Sequence, residues 1–361
     1  MQEQGSFKNS SSLSDDAISL LKKLIAIPSF SKEEDHTADL ISRYFLSEEI
    51  PLQRRLNNVW VKNKFFDSSK PTILLNSHHD TVKPNAGYTN DPFTPIVNDG
   101  KIFGLGSNDA GASLVSLLAT FLHYYDDKNL SYNFIYAATA EEEISGINGI
   151  ESILNELGKI DFAIVGEPTQ MNLAIAEKGL LVLDCVSKGR SGHAARDEGE
   201  NAIYNALKDI EWFRSFQFPK ISETLGNVKM NVTMINSGMQ HNMIPDECKF
   251  TVDIRVTDAY THEEIISIIK QNVSCEVTPR SMRLKPSSID VKHPFVVAGI
   301  SSGRSIFGSP TTSDQALMPF ASVKIGPGDS ARSHTADEFI FINEVEEGIK
   351  IYIQILNQIL K

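Results

Sequence analysis

The sequence predicts an α/β fold, a mostly parallel or mixed sheet with helices on both faces, into which a two-layer α+β domain is inserted. Short apolar runs that suit buried strands alternate with apolar residues at helical spacing in the first half of the chain. The pattern changes near Lys178, where strands of alternating polarity begin, and the first pattern returns after about Pro286. At 361 residues the chain is also long enough for two domains.

The first domain is expected to comprise residues 1–177 and 287–361. Ser14 is the predicted N-cap of a first helix that ends near Pro28. The pattern then predicts strand 73–75, helix 114–122, strand 134–138, helix 147–157, strand 162–165, strand 321–325 and a C-terminal helix from Asn343. Alternation of this kind implies a largely parallel sheet that is covered on both faces.

The inserted domain is expected at residues 178–286. Its elements follow the order strand 180–186, helix 201–213, strand 231–236, strand 249–256, helix 261–269 and strand 275–277. Thr261 and Glu264 have the spacing of a capping box at the start of the second helix. The order β-α-β-β-α-β predicts a two-layer module with an antiparallel sheet.

Composition limits the partners and the location that we expect. The formal net charge of −12 argues against nucleic acid and against anionic membranes, because both select basic surfaces. The three cysteines suggest neither a disulfide framework nor a cysteine zinc site, which fits a reducing compartment. No signal-peptide core and no run of membrane-spanning length is found, so we expect a cytoplasmic protein.

Candidate functional residues follow the predicted strands of the first domain at their carboxyl ends, where open α/β sheets bind ligands. They are His78 and Asp80, then the run Glu141 to Glu143, then Glu167, with Asp109 after a Gly-x-Gly turn and His334 after the last strand. Taken singly, each has an ordinary explanation. A histidine after a strand can be a surface residue, the glutamate run can be a solvated loop, and Asp109 can be a helix N-cap. Together they converge on one edge of one sheet, and that convergence favours a site.

The chemistry of this set favours zinc. Two histidines with several carboxylates and no cysteine suit a hydrolytic rather than a structural zinc site. The set could hold two ions, each with one histidine and one terminal carboxylate, around a shared bridging carboxylate. His79 is expected to face away from such a centre, because adjacent residues of a strand point to opposite sides.

Five motifs occur together in this chain: His-x-Asp-x-Val at 78–82, Asp109 after Gly-x-Gly, the pair Glu142-Glu143, Gly-Glu-Pro-Thr at 166–169 and Ser-Gly-His-Ala at 191–194. This combination resembles the zinc-dependent family of acetylornithine deacetylases, succinyl-diaminopimelate desuccinylases, aminoacylases and carboxypeptidase G-like enzymes. The resemblance covers nearly the whole chain, from residues 27–29 to His334. It implies a two-zinc hydrolase whose inserted lid domain forms a homodimer.

The resemblance also implies which residues hold the metals. His78 and Glu167 would bind one zinc ion, Glu143 and His334 would bind the other, and Asp109 would bridge the two. Cobalt or manganese could occupy the same ligands.

Further roles follow from the same resemblance. Asp80 would accept a hydrogen bond from the far ring nitrogen of His78 and so fix its tautomer. Glu142 would act as general base, taking a proton from the attacking water and passing it to the leaving amine. His193, in the Ser-Gly-His-Ala motif, would stabilise the oxyanion in the partner subunit's site. Asn242 would lie near the substrate, and Arg255 would grip a substrate carboxylate, with an ordinary exposed arginine as the alternative.

Several functions remain to be compared. The expected substrate is a small N-acyl amino acid of arginine biosynthesis, such as N-acetylornithine, N-acetylcitrulline or an N-succinyl analogue. A dipeptidase or tripeptidase is the alternative within the same chemistry, since its substrate presents the same amide beside a carboxylate. An inactive relative that serves in binding or assembly would be expected to lack ligands or base, and all are present here. A serine or cysteine hydrolase has little support, because the chain has no Gly-x-Ser-x-Gly motif and no cysteine beside a histidine at any motif.

Overall fold

The structure is a computed structural model that describes residues 10–196 and 198–360. It divides into two compact units. The first unit runs up to Ile175 and includes Ser288–Phe307 and the chain from Ser313 onward, and the second consists of Ala176–Ser287 and Gly308–Thr312. The segment 178–286 that the sequence singles out lies inside the longer piece of the second unit.

The described residues form helices and strands that we number in chain order. The helices are α1 Ser10–Ile25, α2 Asp35–Ser47, α3 Ala112–Tyr124, α4 Ile150–Leu157, α5 Ala202–Ser215, α6 His262–Asn272, α7 Pro294–Ser301 and α8 Ile342–Ile359. The strands are β1 Leu52–Arg55, β2 Asn58–Lys62, β3 Thr72–His78, β4 Ile96–Asn98, β5 Lys101–Phe103, β6 Asn133–Thr139, β7 Phe162–Val165, β8 Leu173–Glu177, β9 Gly179–Lys188, β10 Gly192–His193, β11 Lys229–Ser237, β12 Met243–Ile244, β13 Glu247–Val256, β14 Glu276–Pro279, β15 Ser287–Ser288, β16 Ile306–Ser309, β17 Ala321–Lys324 and β18 Phe339–Phe341.

A large mixed sheet organises the first unit. Its strand order is β1-β2-β6-β3-β7-β17-β8-β15, with β16 paired to β8. The four central strands β6, β3, β7 and β17 run parallel to their neighbours in that group, whereas β2 joins β6 antiparallel. The mixed sheet with helices confirms the predicted fold class.

Both faces of this sheet are covered. On β3, Ile73 and Leu75 belong to the large core that includes α1, α3 and α8, while Leu74 belongs to a second core with Trp60 and Ile153. Every residue of β3 and of β6 is buried, as expected for strands with helices on both sides. Ligand binding is therefore expected at the ends of these strands and not on the faces of the sheet.

The predicted strands and helices of the second unit are present in the predicted order, whereas the short strands β10 and β12 were not predicted. Strands β11-β13-β9-β14 form an antiparallel sheet, and α5 and α6 pack on it through residues such as Phe213 and Ile265. The capping box of α6 is present, because the side chain of Thr261 accepts from the Glu264 N–H and the side chain of Glu264 accepts from the Thr261 N–H.

Two expectations from the sequence are wrong, and some elements were missed. Helix α1 begins at Ser10, so Ser14 lies inside the helix and is not its N-cap. Helix α4 begins only at Ile150 and Ile147 is exposed, because Gly149 precedes the helix in a non-helical conformation. Helix α2 and strands β1 and β2 were not predicted, although α2 buries Thr37, Ala38, Ile41 and Phe45 at helical spacing. The many polar residues of α2 make this spacing hard to recognise in the sequence.

No helix in the two described stretches of chain is long and apolar enough to cross a lipid bilayer.

Candidate active site

The candidate residues of the first unit lie in loops at the carboxyl ends of adjacent parallel strands. His78 is the last residue of β3, Glu142 and Glu143 lie in a short helical turn just after β6, and Glu167 follows β7 by two residues. His334 lies in the loop after β17, and Asp109 lies in the turn Ser107–Gly111 before α3. Since these strands are neighbours in the sheet, the loops deliver their side chains to one place.

The first set of side chains, which we call the inner group, consists of His78, Asp109 and Glu167. Their candidate ligand atoms all lie within 4.8 Å of one another. His78 Nε2 is 3.4 Å from Asp109 Oδ1 and 3.7 Å from Glu167 Oε1. The His78 side chain is only 1% exposed, and within the described chain its Nε2 has no hydrogen-bond partner. A buried ring nitrogen that faces two carboxylates without a hydrogen bond fits a metal ligand.

The second set, the outer group, consists of Asp109, Glu143 and His334. Their candidate ligand atoms also lie within 4.8 Å of one another. His334 Nε2 is 3.1 Å from Glu143 Oε2 and 3.6 Å from Asp109 Oδ2. Asp109 thus presents Oδ1 to the inner histidine and Oδ2 to the outer one. This is the arrangement that a bridging carboxylate between two ions requires.

The electrostatics of the site favour cations. Burial raises the pKa of Glu142 well above its usual value and the pKa of Glu167 to about 8. Burial alone would lower the pKa of His78, but the carboxylates of Glu142, Asp109 and Asp80 raise it well above its usual value. The hydrogen bond with Glu143 raises the pKa of His334 to about 9. Crowded buried carboxylates of this kind are stabilised in their charged form by bound divalent ions.

Asp80 is placed beside His78, but its contacts differ from the expected ones. His78 Nδ1 lies 3.0 Å from the main-chain oxygen of Asp80 and 3.4 Å from its carboxylate. The carboxylate instead accepts hydrogen bonds from the Ser31 hydroxyl and from the N–H groups of Glu142 and Glu143. Through these bonds Asp80 holds the Glu142–Glu143 turn as well as neighbouring His78.

The adjacent His79 is hydrogen-bonded away from the candidate metal ligands. Its Nδ1 lies 2.9 Å from the Thr37 hydroxyl and its Nε2 lies 2.8 Å from the main-chain oxygen of Asn57. Burial lowers the pKa of His79 to about 4. The ring is therefore neutral and its bonds are to α2 and to the turn before β2, so it belongs to neither group.

The remaining predicted residues belong to the second unit. His193 on β10 is exposed and stands opposite Met243 of β12, and the Ala194 N–H donates to the main-chain oxygen of Asn242. His193 therefore lies on a two-stranded ribbon, and Asn242 immediately precedes the second strand of that ribbon. Arg255 lies on β13, where its guanidinium donates to both carboxylate oxygens of Asp253 at 2.9 and 3.1 Å.

Two buried carboxylates next to the site did not emerge from the sequence. Glu338 accepts hydrogen bonds from the N–H groups of Gly106, Asn108 and Asp109. It ends the run 333–338 that contains His334, so proximity in sequence was an available signal. Asp314 accepts from the Thr139 hydroxyl at the end of β6, and burial raises the pKa of Asp314 to about 6. Nothing in the sequence around Asp314 sets it apart from a turn residue.

The chain is similar to known proteins over most of its length. The model of peptidase family M20/M25/M40 matches residues 74–358. The [LysW]-lysine/[LysW]-ornithine hydrolase of Sulfurisphaera tokodaii is 28% identical over 94% of this chain and 94% of its own length. The acetylornithine deacetylase of Buchnera aphidicola is 27% identical over 92% of this chain and 95% of its own length.

Solved structures share the fold. A tripeptidase of Staphylococcus aureus superposes with a TM-score of 0.77 at 20% identity, covering 98% of this chain and 99% of that one. A peptidase of the M20 family from Bacillus subtilis, described as binding a dinuclear metal, has a TM-score of 0.72 at 15% identity and covers 97% of this chain and 99% of that one.

Proposed function

The chain belongs to peptidase family M20/M25/M40, and from that premise we propose that it is a two-zinc amidohydrolase that removes an N-acyl group from an amino acid. The observation that carries the proposal is the pair of ligand groups that share Asp109, with the carboxylate of Glu142 beside them. This arrangement supplies what amide hydrolysis needs, namely positions for metal ions and an adjacent proton acceptor.

The inner group and the outer group are the proposed ligand sets of the two ions. Two observations support this assignment. His78 Nε2 is buried without a hydrogen-bond partner among the described residues, and Asp109 directs Oδ1 toward His78 and Oδ2 toward His334. Bound zinc would polarise the scissile carbonyl and bring the pKa of water toward about 7. The ligands are histidine and carboxylate only, which cobalt and manganese also accept.

Glu142 is the proposed general base. Its Oε2 lies 3.8 Å from His78 Nε2, and its N–H is held by Asp80, so the carboxylate borders the inner group without belonging to either ligand set. It would take a proton from the attacking water and donate it to the nitrogen of the departing amine.

Three residues of the second unit have proposed roles toward the substrate. His193 would stabilise the oxyanion in a partner subunit of a homodimer formed through this unit, with Asn242 just before the second strand of the same ribbon. Arg255 would grip the substrate carboxylate, which requires its guanidinium to exchange Asp253 for the substrate.

The proposed substrate is an N-acylated amino acid such as N-acetylornithine or N-acetylcitrulline, which would place the reaction in arginine biosynthesis and in the cytoplasm. Two relatives that span most of this chain carry names that concern ornithine, and they support this choice. The alternative is a dipeptidase or tripeptidase, supported by the likeness to the S. aureus tripeptidase in fold.

A single assay separates these functions. Amine release is measured from N-acetylornithine, N-acetylcitrulline, N-succinylornithine, N-succinyl-diaminopimelate and a set of di- and tripeptides, with zinc and with a chelator. We expect chelator-sensitive release from one acylated amino acid. Release from peptides alone would replace the deacylase by a peptidase, and no release from the zinc-loaded chain would contradict both.

A further inference from the structure

Glu338 is a buried carboxylate bonded to the backbone of the turn that carries Asp109. Its Oε1 accepts from the N–H groups of Asn108 at 2.8 Å and Asp109 at 2.9 Å, and its Oε2 accepts from the Gly106 N–H at 3.1 Å. The residue is 1% exposed. Hydrogen bonds from N–H groups to a buried carboxylate are strong and directional. The three bonds to Glu338 therefore fix the path of the turn from Gly106 to Asp109.

The main chain of Glu338 makes a further bond to the same segment. Its carbonyl oxygen accepts from the Gly104 N–H at 2.9 Å. Glu338 follows His334 by four residues, at the end of the loop that carries this histidine. One residue therefore connects the segment of the bridging carboxylate to the loop of the outer histidine.

The two groups differ in how much they need such a connection. In the inner group, His78 ends the buried strand β3 and Glu167 follows the neighbouring buried strand β7, so the sheet itself sets their spacing. In the outer group, His334 is 54% exposed and lies in a loop with a left-handed φ of 60°. Its distance from Asp109 depends on contacts between loops.

We propose that Glu338 is a positioning residue that sets the distance between Asp109 and His334 and thereby determines how tightly the outer group holds its ion. The inference rests on the proposed metal centre and adds to it a residue that touches neither ion nor substrate. Replacement of Glu338 weakens the outer ion more than the inner one, because both groups share Asp109 but the inner histidine and glutamate keep their positions on the sheet.

The test is a titration of the metal-free full chain with zinc, followed by competition with a chromophoric chelator. In Glu338→Gln, one carboxylate oxygen becomes an NH2 group, which faces an N–H donor in either orientation of the amide. We expect the dissociation constant of the outer ion to rise by about tenfold or more, as is common when a residue that orients metal ligands is changed, and that of the inner ion to rise clearly less. His334→Ala removes the outer histidine and serves as the reference titration for a chain that lacks the outer ion.

Asp337→Asn is the matched control. Asp337 is the neighbouring carboxylate and also accepts three hydrogen bonds, but from the Thr89 N–H, the Thr89 hydroxyl and the Asn90 N–H. In Asp337→Asn the amide oxygen can still accept from both N–H groups and the NH2 group can donate to the Thr89 hydroxyl, so the loop keeps its bonds and the Asp109 turn is untouched. Both dissociation constants should stay at the wild-type values.

The outcomes are separable from those of the proposed function. Equal weakening of both ions in Glu338→Gln, or wild-type binding of both, overturns the positioning role while the metal centre stands. A wild-type chain that binds fewer than two ions removes the metal centre and this inference together. If circular dichroism shows that Glu338→Gln does not fold, Glu338→Asp keeps the charge with a shorter side chain and should weaken the outer ion more than the inner one.

Discussion

At the scale of single residues, Glu142 carries the proton transfer in the proposed reaction. Its carboxylate lies among Glu143, Glu167 and Asp314, and burial raises its pKa well above the usual value. A general base is most effective when its pKa lies near the working pH, and a raised carboxylate pKa shifts Glu142 in that direction.

Glu142→Gln should retain both metal ions and lower kcat by about 10²- to 10⁴-fold, because an amide cannot accept the proton of the attacking water. Steady-state turnover and metal content measured on the same preparation check this. Glu141→Gln is the control, since the Glu141 carboxylate bonds to Asn148 and belongs to neither group. Unchanged turnover of Glu142→Gln would remove the assignment of the base.

Arg255 shows how a residue can keep its predicted strand position and still differ in its contacts. The alternating pattern of β13 holds except at Thr251, which is buried, with Phe250, Val252 and Ile254 buried and Arg255 partly exposed. Its guanidinium, however, already bonds to Asp253 within the same strand. The proposed grip on a substrate carboxylate is therefore an exchange of one carboxylate for another.

At the scale of elements, the ends of parallel strands determine the site. Strands β6, β3, β7 and β17 are consecutive in the sheet and point the same way. Their carboxyl ends lie side by side at about 4.8 Å spacing, so residues from four distant parts of the sequence meet within metal-binding distance. The turn with Asp109 joins them from the start of α3.

Helix α6 offers a test of local stability in the second unit. Thr261→Ala removes the hydroxyl that accepts from the Glu264 N–H, and it should lower the free energy of unfolding of this unit by about 1 kcal/mol. Urea unfolding followed by the fluorescence of Trp212, which lies in α5, measures the change. Ser267→Ala, an exposed hydroxyl inside the same helix, is the control and should leave the unit as stable or slightly more so. An equal loss in both variants would contradict the role of the cap.

At the scale of the whole molecule, the ligand groups found among the described residues lie only in the first unit. Ions that bind the folded chain and not the unfolded one stabilise that unit by mass action. The chain has two tryptophans, Trp60 on β2 of the first unit and Trp212 on α5 of the second. Each unit thus has its own fluorescent reporter.

Chelation should therefore lower the unfolding midpoint reported by Trp60. With zinc at about 100 times its dissociation constant, each ion should contribute about 2.7 kcal/mol to the first unit, and a chelator should remove it. A Trp212→Phe chain isolates the Trp60 signal, and a Trp60→Phe chain reports the second unit for comparison. An identical Trp60 midpoint with zinc and with chelator would contradict metal binding by the native chain.

The sequence by itself determined the fold class, the order of elements in the second unit and the placement of candidate ligands at strand ends. These features depend on local periodicity and on residues next to one another in the chain. His78 and Glu167 follow short apolar runs, and Thr261 and Glu264 are three residues apart. Such signals can be read without knowing what packs against them.

Tertiary structure alone decided the contacts between distant segments. Glu338 meets the N–H groups of Gly106, Asn108 and Asp109 across more than two hundred residues of sequence, as the separation of 229 residues from Asp109 illustrates. The oxygens of Asp80 go to the Glu142–Glu143 turn, and Arg255 pairs with Asp253. A hydrogen-bond donor or acceptor takes whichever partner the folded chain brings within reach, and no local pattern states which one that is.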